Sequence, residues 1–299
     1  MANEQTSTVL ASVINAEMIM EARMAFQVNA NLPRLVRVAD LTGQPTNTAS
    51  WPVYAAGTVT KPGSEEVSVT TNSTPAPTDV TAAVARRTII VSPTDLGVSG
   101  SVDNLSATFG KLIGEARAKQ VDTDILAVMT TNYTSSVGAT NSTDVTIANI
   151  LSALLTLEGN EANQNLVLAL HPKQWNHIRG DLVLSAQVTA NALPTDNSVQ
   201  GQQVLTSGVL FAPIFGAQVL VTPRVGTGAD TNDMYLGVLG NFAEAIGYAV
   251  KNVNRMLGIP EIELDRTPRS AMGALVHNYY DKAAIIRAAG LVLVKSQTY

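Results

Sequence analysis

The 299-residue chain contains no cysteine, and this absence excludes several chemistries at once. Disulfide frameworks, thiol nucleophiles and zinc or iron–sulfur centres held by cysteine are ruled out. Charge is scarce too, because Asp, Glu, Lys and Arg make up only 14% of the residues, against roughly 25% in typical soluble domains. The formal net charge of −5 argues against a nucleic-acid reader or a polybasic membrane binder. With 45% hydrophobic residues, we expect a sizeable core and much hidden surface.

Long hydrophobic runs and targeting signals are also missing. The first ten residues include Glu4 but no Lys or Arg, so they lack the basic start of a secretory signal. The longest apolar stretch, 283–294, is interrupted by Arg287 and is shorter than the roughly 20 residues that a membrane-spanning helix needs. We therefore expect a soluble protein that is made in a cytoplasm.

Catalytic groups are few. The histidines are His171, His177 and His277, and the first two are not four residues apart, the spacing that places two metal ligands on one helical face. The glycines at 226 and 228 lack the third glycine of a dinucleotide-binding loop. We expect structural histidines and no catalytic, cofactor-binding or metal site.

One acidic strand offers an alternative. Glu261, Glu263 and Asp265 share one face by the two-residue period of a β-strand, so they are close enough in principle to bind a cation. A solvated or interface face is the favoured interpretation, with the intervening apolar residues turned inward. A metal-dependent hydrolase that uses this face with His171 and His177 is the less favoured hypothesis.

Two helices are predicted in the first half of the chain. The first runs from Ser7 to about Ala30. The second begins after Asp103 as a plausible N-cap and extends for about 25 residues. Its predicted apolar stripe consists of Leu105, Phe109, Leu112, Ile113 and Ala116, and the pattern continues through Val121, Ile125 and Val128. Glycines at 110 and 114 share one face, which predicts the close crossing of another backbone there.

The stretch from Thr42 to Thr81 has an unusual pattern, with five prolines and many Thr and Ser residues. Apolar residues alternate with polar ones before and after a predicted turn at Lys61, and a second strand-like run spans 84–91. We interpret this region as a long, projecting, two-stranded β-arm. An isolated ribbon is marginally stable in water, so something outside the monomer is expected to hold it.

The rest of the chain has an α/β rhythm. Its predicted helices cover 147–159 and a short segment from Pro172 that Gly180 ends. Its predicted strands cover 166–170, 218–222, 234–239, 261–265 and 284–294.

Several stretches, taken in this order, resemble the major capsid proteins of tailed bacteriophages with the Hong Kong 97-like fold. Residues 85–92, followed by Asp95-Leu96, resemble the strand that returns from the extended loop of that family. Residues 116–126 resemble the end of its spine helix. Residues 168–172, running into Trp175, are similar to a strand-then-helix element of its axial domain, and 235–242 to a strand end that often reads Gly-Asp-Phe, where this chain has Asn241.

The resemblance implies an α+β capsid fold and a division into five parts. These are an N-terminal arm with a helix (1–45), an extended β-arm or E-loop (46–91), a peripheral domain with the spine helix (92–145), an α/β axial domain (146–250) and terminal strands that return to the peripheral domain (251–299). The β-arm would lie over a neighbouring subunit. Its implied inter-subunit contact residues are Trp51, Tyr54, Lys61, Val67 and Val69.

The implied function is structural, without catalysis or cofactor. The chain would self-assemble into hexamers and pentamers of an icosahedral shell around double-stranded DNA, as part of a virion assembled in the host cytoplasm. Its implied partners are other copies of itself, a portal, separate scaffolding or decoration proteins, and DNA bound without sequence specificity, with no membrane. An encapsulin-type nanocompartment shell protein is the alternative. Some relatives cross-link Lys to Asn covalently, but non-covalent assembly is the expectation here.

Overall fold

The computed structural model describes residues 7–54, 77–91, 105–138, 144–189, 214–226, 234–253, 262–265 and 274–297. The helices are α1 (Ser7–Asn29), α2 (Leu105–Thr131), α3 (Ile147–Gly159), α4 (Pro172–Thr189) and the single turn α5 (Phe242–Ala245). The strands are β1 (Arg37–Asp40), β2 (Thr48–Tyr54), β3 (Pro77–Ala83), β4 (Ala85–Val91), β5 (Ser135–Val137), β6 (Val167–Leu170), β7 (Gln218–Val221), β8 (Met234–Gly240), β9 (Ile246–Lys251), β10 (Ile262–Asp265), β11 (Ala274–Ile285) and β12 (Leu291–Gln297). None of the described helices is long and apolar enough to cross a membrane.

Helices α1 and α2 pack side by side in the same direction. A Cβ added to Gly110 would lie 2.5 Å from the carbonyl oxygen of Met18, and one added to Gly114 would overlap the carbonyl oxygen of Ala22. Each contact advances by four residues on both helices, so the two backbones touch along one turn. The predicted close crossing at these two glycines is confirmed.

Strands β1, β4, β9, β10 and β11 form sheet 1, in which the long strand β11 is central. β11 pairs antiparallel with β4 on one side and with β9 and β10 on the other, and β1 pairs parallel with β9. A cluster of apolar side chains joins this sheet to α1 and α2, with Ile113 fully buried.

Strands β5 to β8 and β12 form sheet 2, in the order β5-β12-β8-β6-β7. One face packs in a shared core with α2 and part of sheet 1, where Phe242 is fully buried. The other face packs against α3 and α4 through side chains that include Ile150 and Ile178. All four residues of β6 are buried, as predicted for this continuous apolar run.

The arm prediction is partly wrong. β2 pairs antiparallel with β3, from Thr48 opposite Ala83 to Tyr54 opposite Pro77. The run from Val84 to Val91 is not the second arm strand, because β4 pairs with β11 in sheet 1. This ladder of β2 and β3 is called the arm ladder below.

Two further expectations change. Helix α4 continues past Gly180 to Thr189, since this glycine keeps a helical backbone. The stretch 284–294 is not one strand, because a 3₁₀ turn at Ala288–Gly290 separates β11 from β12. β10 and β11 belong to sheet 1, whereas β12 pairs with β5 and β8 in sheet 2, and the return of 251–299 to a peripheral domain stays a prediction.

Candidate assembly site

The arm ladder is anchored to sheet 1 by Trp51. The indole of Trp51 is 3% exposed and lies on Gly247 of β9, where an added Cβ would come within 2.7 Å of the ring. Leu41, Ala49 and Ala82 complete this small apolar cluster. The interpretation of Trp51 as an inter-subunit contact is wrong for its side chain, because the chain's own sheet covers it.

A buried lysine supports the same root. The Lys251 ammonium, on β9, donates hydrogen bonds to the carbonyl oxygens of Gln44 and Thr46 and to Asn47 Oδ1, at 2.9, 2.8 and 2.8 Å. These acceptors lie in the loop that leads into β2. Three well-placed oxygens compensate an ammonium for lost water, so the loop is held to the sheet by directional bonds.

The remaining arm residues have different outcomes. Tyr54, at the outer end of the arm ladder, is exposed, so its role in contacting a neighbour stays a prediction. Lys61, Val67 and Val69 lie outside the described residues.

The predicted stripe on α2 is partly wrong. Phe109 is half-buried against the cluster of α1 and sheet 1, but Leu112 is 49% exposed and Ala116 is exposed as well. The side chain of Leu105 lies outside the described part of the chain. The predicted burial of Ile113, Val121 and Ile125 is confirmed, and the small residues Gly110, Gly114 and Ala118 complete the buried face. Because Leu112 is half exposed, Leu112→Asp would place its carboxylate in solvent.

A charged cluster lies between α2 and sheet 1. Arg87 of β4 forms ion pairs with Asp281 of β11 at 3.2 Å and Asp124 of α2 at 2.7 Å. The Tyr248 hydroxyl donates to Asp281 at 3.0 Å. Burial raises the pKa of Asp281, although the Tyr248 hydrogen bond and the Arg87 charge oppose that shift. Burial raises the pKa of Tyr279, a neighbour of this cluster, to about 12.

A second buried ion pair joins sheet 2 to the two long helices. Arg224 follows β7 and pairs with Asp122 of α2, and it also donates to the carbonyl oxygen of Asn29 at 3.0 Å. Asp122 accepts the backbone N–H groups of Asn31 and Leu32, just beyond α1. Burial raises the pKa of Asp122 against the opposing charge of Arg224. These hydrogen bonds and the ion pair therefore fix the positions of the end of α1, the middle of α2 and the end of β7 relative to one another.

Among the described residues, the histidines of the hydrolase hypothesis have separate structural partners. His171 stacks on Tyr235 at 3.8 Å, His177 pairs with Asp144 at 2.8 Å, and His277 is buried in sheet 1. Glu261 and the side chains of Glu263 and Asp265 lie outside the described part of the chain. Within that part, no group of three or more His, Asp or Glu side chains could hold a metal ion.

Sequence reasoning missed the exposed apolar side chains outside the arm. Met20, Met24 and Val28 form an exposed line on α1, Leu151 and Leu155 are exposed on α3, and Phe215 is exposed before β7. The only sequence signal was on α3, where Glu158 is the single charged residue of the helix. A helix that is apolar on all sides is typical of complete burial.

Comparison with solved structures gives matches along nearly the whole chain. A structure from Mycobacterium phage Che8 is 17% identical, with a TM-score of 0.62, over 89% of this chain and 90% of that one. The capsid of the cyanophage P-SCSP1u is 13% identical, with a TM-score of 0.60, over 87% and 86%. A virus-like particle from Pyrococcus furiosus is 9% identical, with a TM-score of 0.57, over 93% and 98%.

Sequence comparison gives no such matches, since no family model and no curated protein matches the chain. The likeness is therefore one of fold, carried by the order of helices and strands at identities of 17% or less. The chain has the α+β fold of phage capsids, which is the fold that the sequence resemblance implied.

Proposed function

We propose that this chain is the major capsid protein of a tailed bacteriophage, a structural protein without catalytic activity. The observation that carries the proposal is the fold likeness to phage capsids over nearly the whole length of both chains. In this proposal, copies assemble into the hexamers and pentamers of an icosahedral shell that encloses double-stranded DNA.

The arm supports assembly on physical grounds. The arm ladder is a two-stranded ribbon, which is marginally stable alone, and only its root is buried in its own subunit. Tyr54 at the outer end is exposed. An arm that lies on a second copy gains partners for its backbone and side chains, as in other cases of strand addition. Lys61, Val67 and Val69 are the proposed contact residues beyond Tyr54.

The electrostatic balance supports a container for DNA. The chain has 24 acidic and 19 basic residues, so it lacks the excess of cations that would bind phosphates tightly by counterion release. A shell wall of this kind encloses DNA without fixing it. The partners that we propose are other copies of the chain, a portal, and separate scaffolding or decoration proteins. Assembly takes place in the host cytoplasm.

A nanocompartment shell is the second candidate, favoured by the likeness to the Pyrococcus furiosus virus-like particle. The two candidates differ in content. Particles isolated from the natural source would contain nuclease-protected DNA in the first case and a cargo protein in the second.

The deciding experiment is negative-stain electron microscopy of the purified protein, alone and with a co-expressed scaffolding protein from its gene neighbourhood. We expect closed shells of uniform size. A chain that stays monomeric under both conditions would overturn the proposal.

An arm variant sharpens this test. Replacing residues 55–76 by an Asn-Gly turn keeps β2 and β3 paired, because Tyr54 and Pro77 already face each other. We expect an unchanged far-ultraviolet circular dichroism spectrum and the loss of shells. Thr130→Ala, at a half-buried position near the end of α2 and outside the arm, serves as a control that leaves shells intact. Normal shells from the shortened arm would show that the arm is dispensable.

A further inference from the structure

The turn before β7 has an unusual residue at its tip. Ile214 and Ala217 exchange two backbone hydrogen bonds of 2.9 Å, and between them Phe215 and Gly216 have φ angles of 49° and 82°. Two positive φ angles in a two-residue hairpin turn are typical of Asn-Gly. A phenylalanine in this left-handed region of the backbone is strained.

This turn leaves part of an aromatic ring on the surface of the subunit. Ile214 and Ala217 are buried in the core between sheet 2 and its helices, whereas Phe215 is 40% exposed. Asparagine would adopt the same backbone conformation without strain. The strained turn therefore indicates a role for the Phe215 ring beyond the monomer.

An apolar surface of matching character lies on α3. Leu151 and Leu155 are one turn apart, and Leu155 is 70% exposed although its neighbour Leu154 is only 7% exposed. Exposed Ala148 and Ser152 lie on the same side of the helix. This mainly apolar surface is called the α3 face below. The exposed Glu158, three residues after Leu155, is the single charged side chain of the helix and lies at the end of this face, whereas the turn from Ile214 to Ala217 carries no charge.

The two features lie at opposite edges of sheet 2. The turn leads directly into β7, which is one edge strand, while α3 packs on β12 and β5 at the other edge. Three strand spacings, about 14 Å, separate β7 from β12. Phe215 and the α3 face are thus two different surfaces on separate edges of one subunit. A ring of copies joined head to tail requires two such surfaces.

We propose that Phe215 of one copy packs on the α3 face of the next copy, as a head-to-tail contact that repeats around each ring. This inference rests on the proposed function. The occupant is a second copy because sheet 2 and its helices supply both halves of the contact, at opposite edges of the sheet. Both halves are apolar, apart from Glu158 at the end of the α3 face. An aromatic side chain that loses its remaining water in a leucine-lined surface is the typical energetic centre of such an interface.

Cysteine cross-linking tests this contact directly, because the chain has no cysteine of its own. Phe215→Cys and Leu155→Cys are made singly and together, and each protein is assembled and then mildly oxidised. We expect the double variant to give a ladder of covalent oligomers on a non-reducing gel. The two single variants should give dimers only when mixed. Met24→Cys on exposed α1, combined with Phe215→Cys, is the control that should give none.

The outcomes separate the inference from the proposed function. Dimers from either single variant alone would indicate a two-fold contact and overturn the inference. Particles from the double variant without cross-links would also overturn it, while the proposed function stands. If the unmodified protein forms no particles, both fail.

A second variant removes the ring without disturbing the fold. Phe215→Asn supplies the residue that the turn prefers, so the monomer should melt at the same temperature or higher. Particle yield at a fixed protein concentration should fall about tenfold or more. Unchanged yield with unchanged melting would refute the contact, and a lower melting temperature would show that Phe215 serves the monomer.

Discussion

Sheets 1 and 2 differ in what they bury. The buried acidic and basic side chains of the described residues, Lys251, His277, Asp281 and Asp122, belong to sheet 1 or to α2 beside it. The buried polar side chains around sheet 2 are uncharged: Gln174, Thr222, Asn241 and Ser296. The core between sheet 2 and helices α3 and α4, called the second core below, is otherwise a continuous apolar cluster.

The two sheets therefore contribute differently: the charged contacts of sheet 1 fix the directions of neighbouring elements, whereas the apolar core of sheet 2 mainly adds stability. Ion pairs and charge-assisted hydrogen bonds are directional, and breaking one partner leaves a costly buried charge. Sheet 1 uses such contacts where the arm and the two long helices must keep fixed directions. Sheet 2 relies on apolar burial, which is strong but non-directional, and it places the surplus apolar groups of α3 and Phe215 on its surface.

The largest expected effect comes from the charged junction. Asp122→Ala should lower the free energy of unfolding by about 3–5 kcal/mol, because it removes the ionic partner of the partly buried Arg224 and the acceptor of two backbone N–H groups, those of Asn31 and Leu32. Urea denaturation measures this loss. Asp144→Ala, which removes the exposed ion pair with His177, should cost less than about 1 kcal/mol. Equal losses in the two variants would contradict the role given to burial.

The next effect distinguishes two neighbouring leucines on α3. Leu154→Ala should cost about 2–5 kcal/mol of unfolding free energy, because it leaves a cavity in the second core. Leu155→Ala should change this quantity by less than about 0.5 kcal/mol, because the side chain is exposed in the monomer. Denaturation of unassembled protein gives both values, and a large loss for Leu155→Ala would mean that its surface is covered within the subunit.

The helix contact predicts opposite signs for two glycines. Gly114→Ala should destabilise the protein by about 1–3 kcal/mol, since the new methyl group would overlap the carbonyl oxygen of Ala22. Gly180→Ala in α4 meets no atom within 4 Å and should stabilise the helix by about 0.5–1 kcal/mol. Thermal melting compares the two, and stabilisation by both would mean that α1 and α2 separate without cost.

The smallest effect concerns pH. Because burial raises the pKa of Asp281, its carboxyl group favours the folded state below its unfolded pKa, and this contribution is lost as the pH rises through the folded value. The groups that face it are Arg87, Arg117, Asp124 and Tyr248. The stability of the wild type relative to Asp281→Asn should therefore decrease from about pH 4 towards neutrality. An increase over the same range would mean that Arg87 lowers the pKa instead.

Much of the fold followed from local patterns. Periodic apolar residues predicted α1, α2 and α3 with nearly the observed bounds, and the buried run 166–170 predicted β6. The glycines at 110 and 114 even predicted the close contact of α2 with another backbone. Such features depend on residues near one another in the sequence, where steric and burial preferences act directly.

The errors arise where distant residues decide. Strand β4 pairs with β11 across some 190 residues, and its own alternation fits an arm strand equally well. On α2, small residues at Gly114 and Ala118 form the buried face because α1 lies there, while the more hydrophobic Leu112 points outward. Lys251 gave no signal, because a lysine becomes an anchor only when three oxygens from another loop surround it.

The position of β11 and β12 has a consequence for synthesis on the ribosome. β11 is the central strand of sheet 1 and β12 lies between β5 and β8 in sheet 2, yet both come from the last part of the described sequence. Neither sheet can close until these two strands have left the ribosome, after every other described strand of the same sheet. The earlier strands and helices therefore remain without their central partners during most of the synthesis of this region.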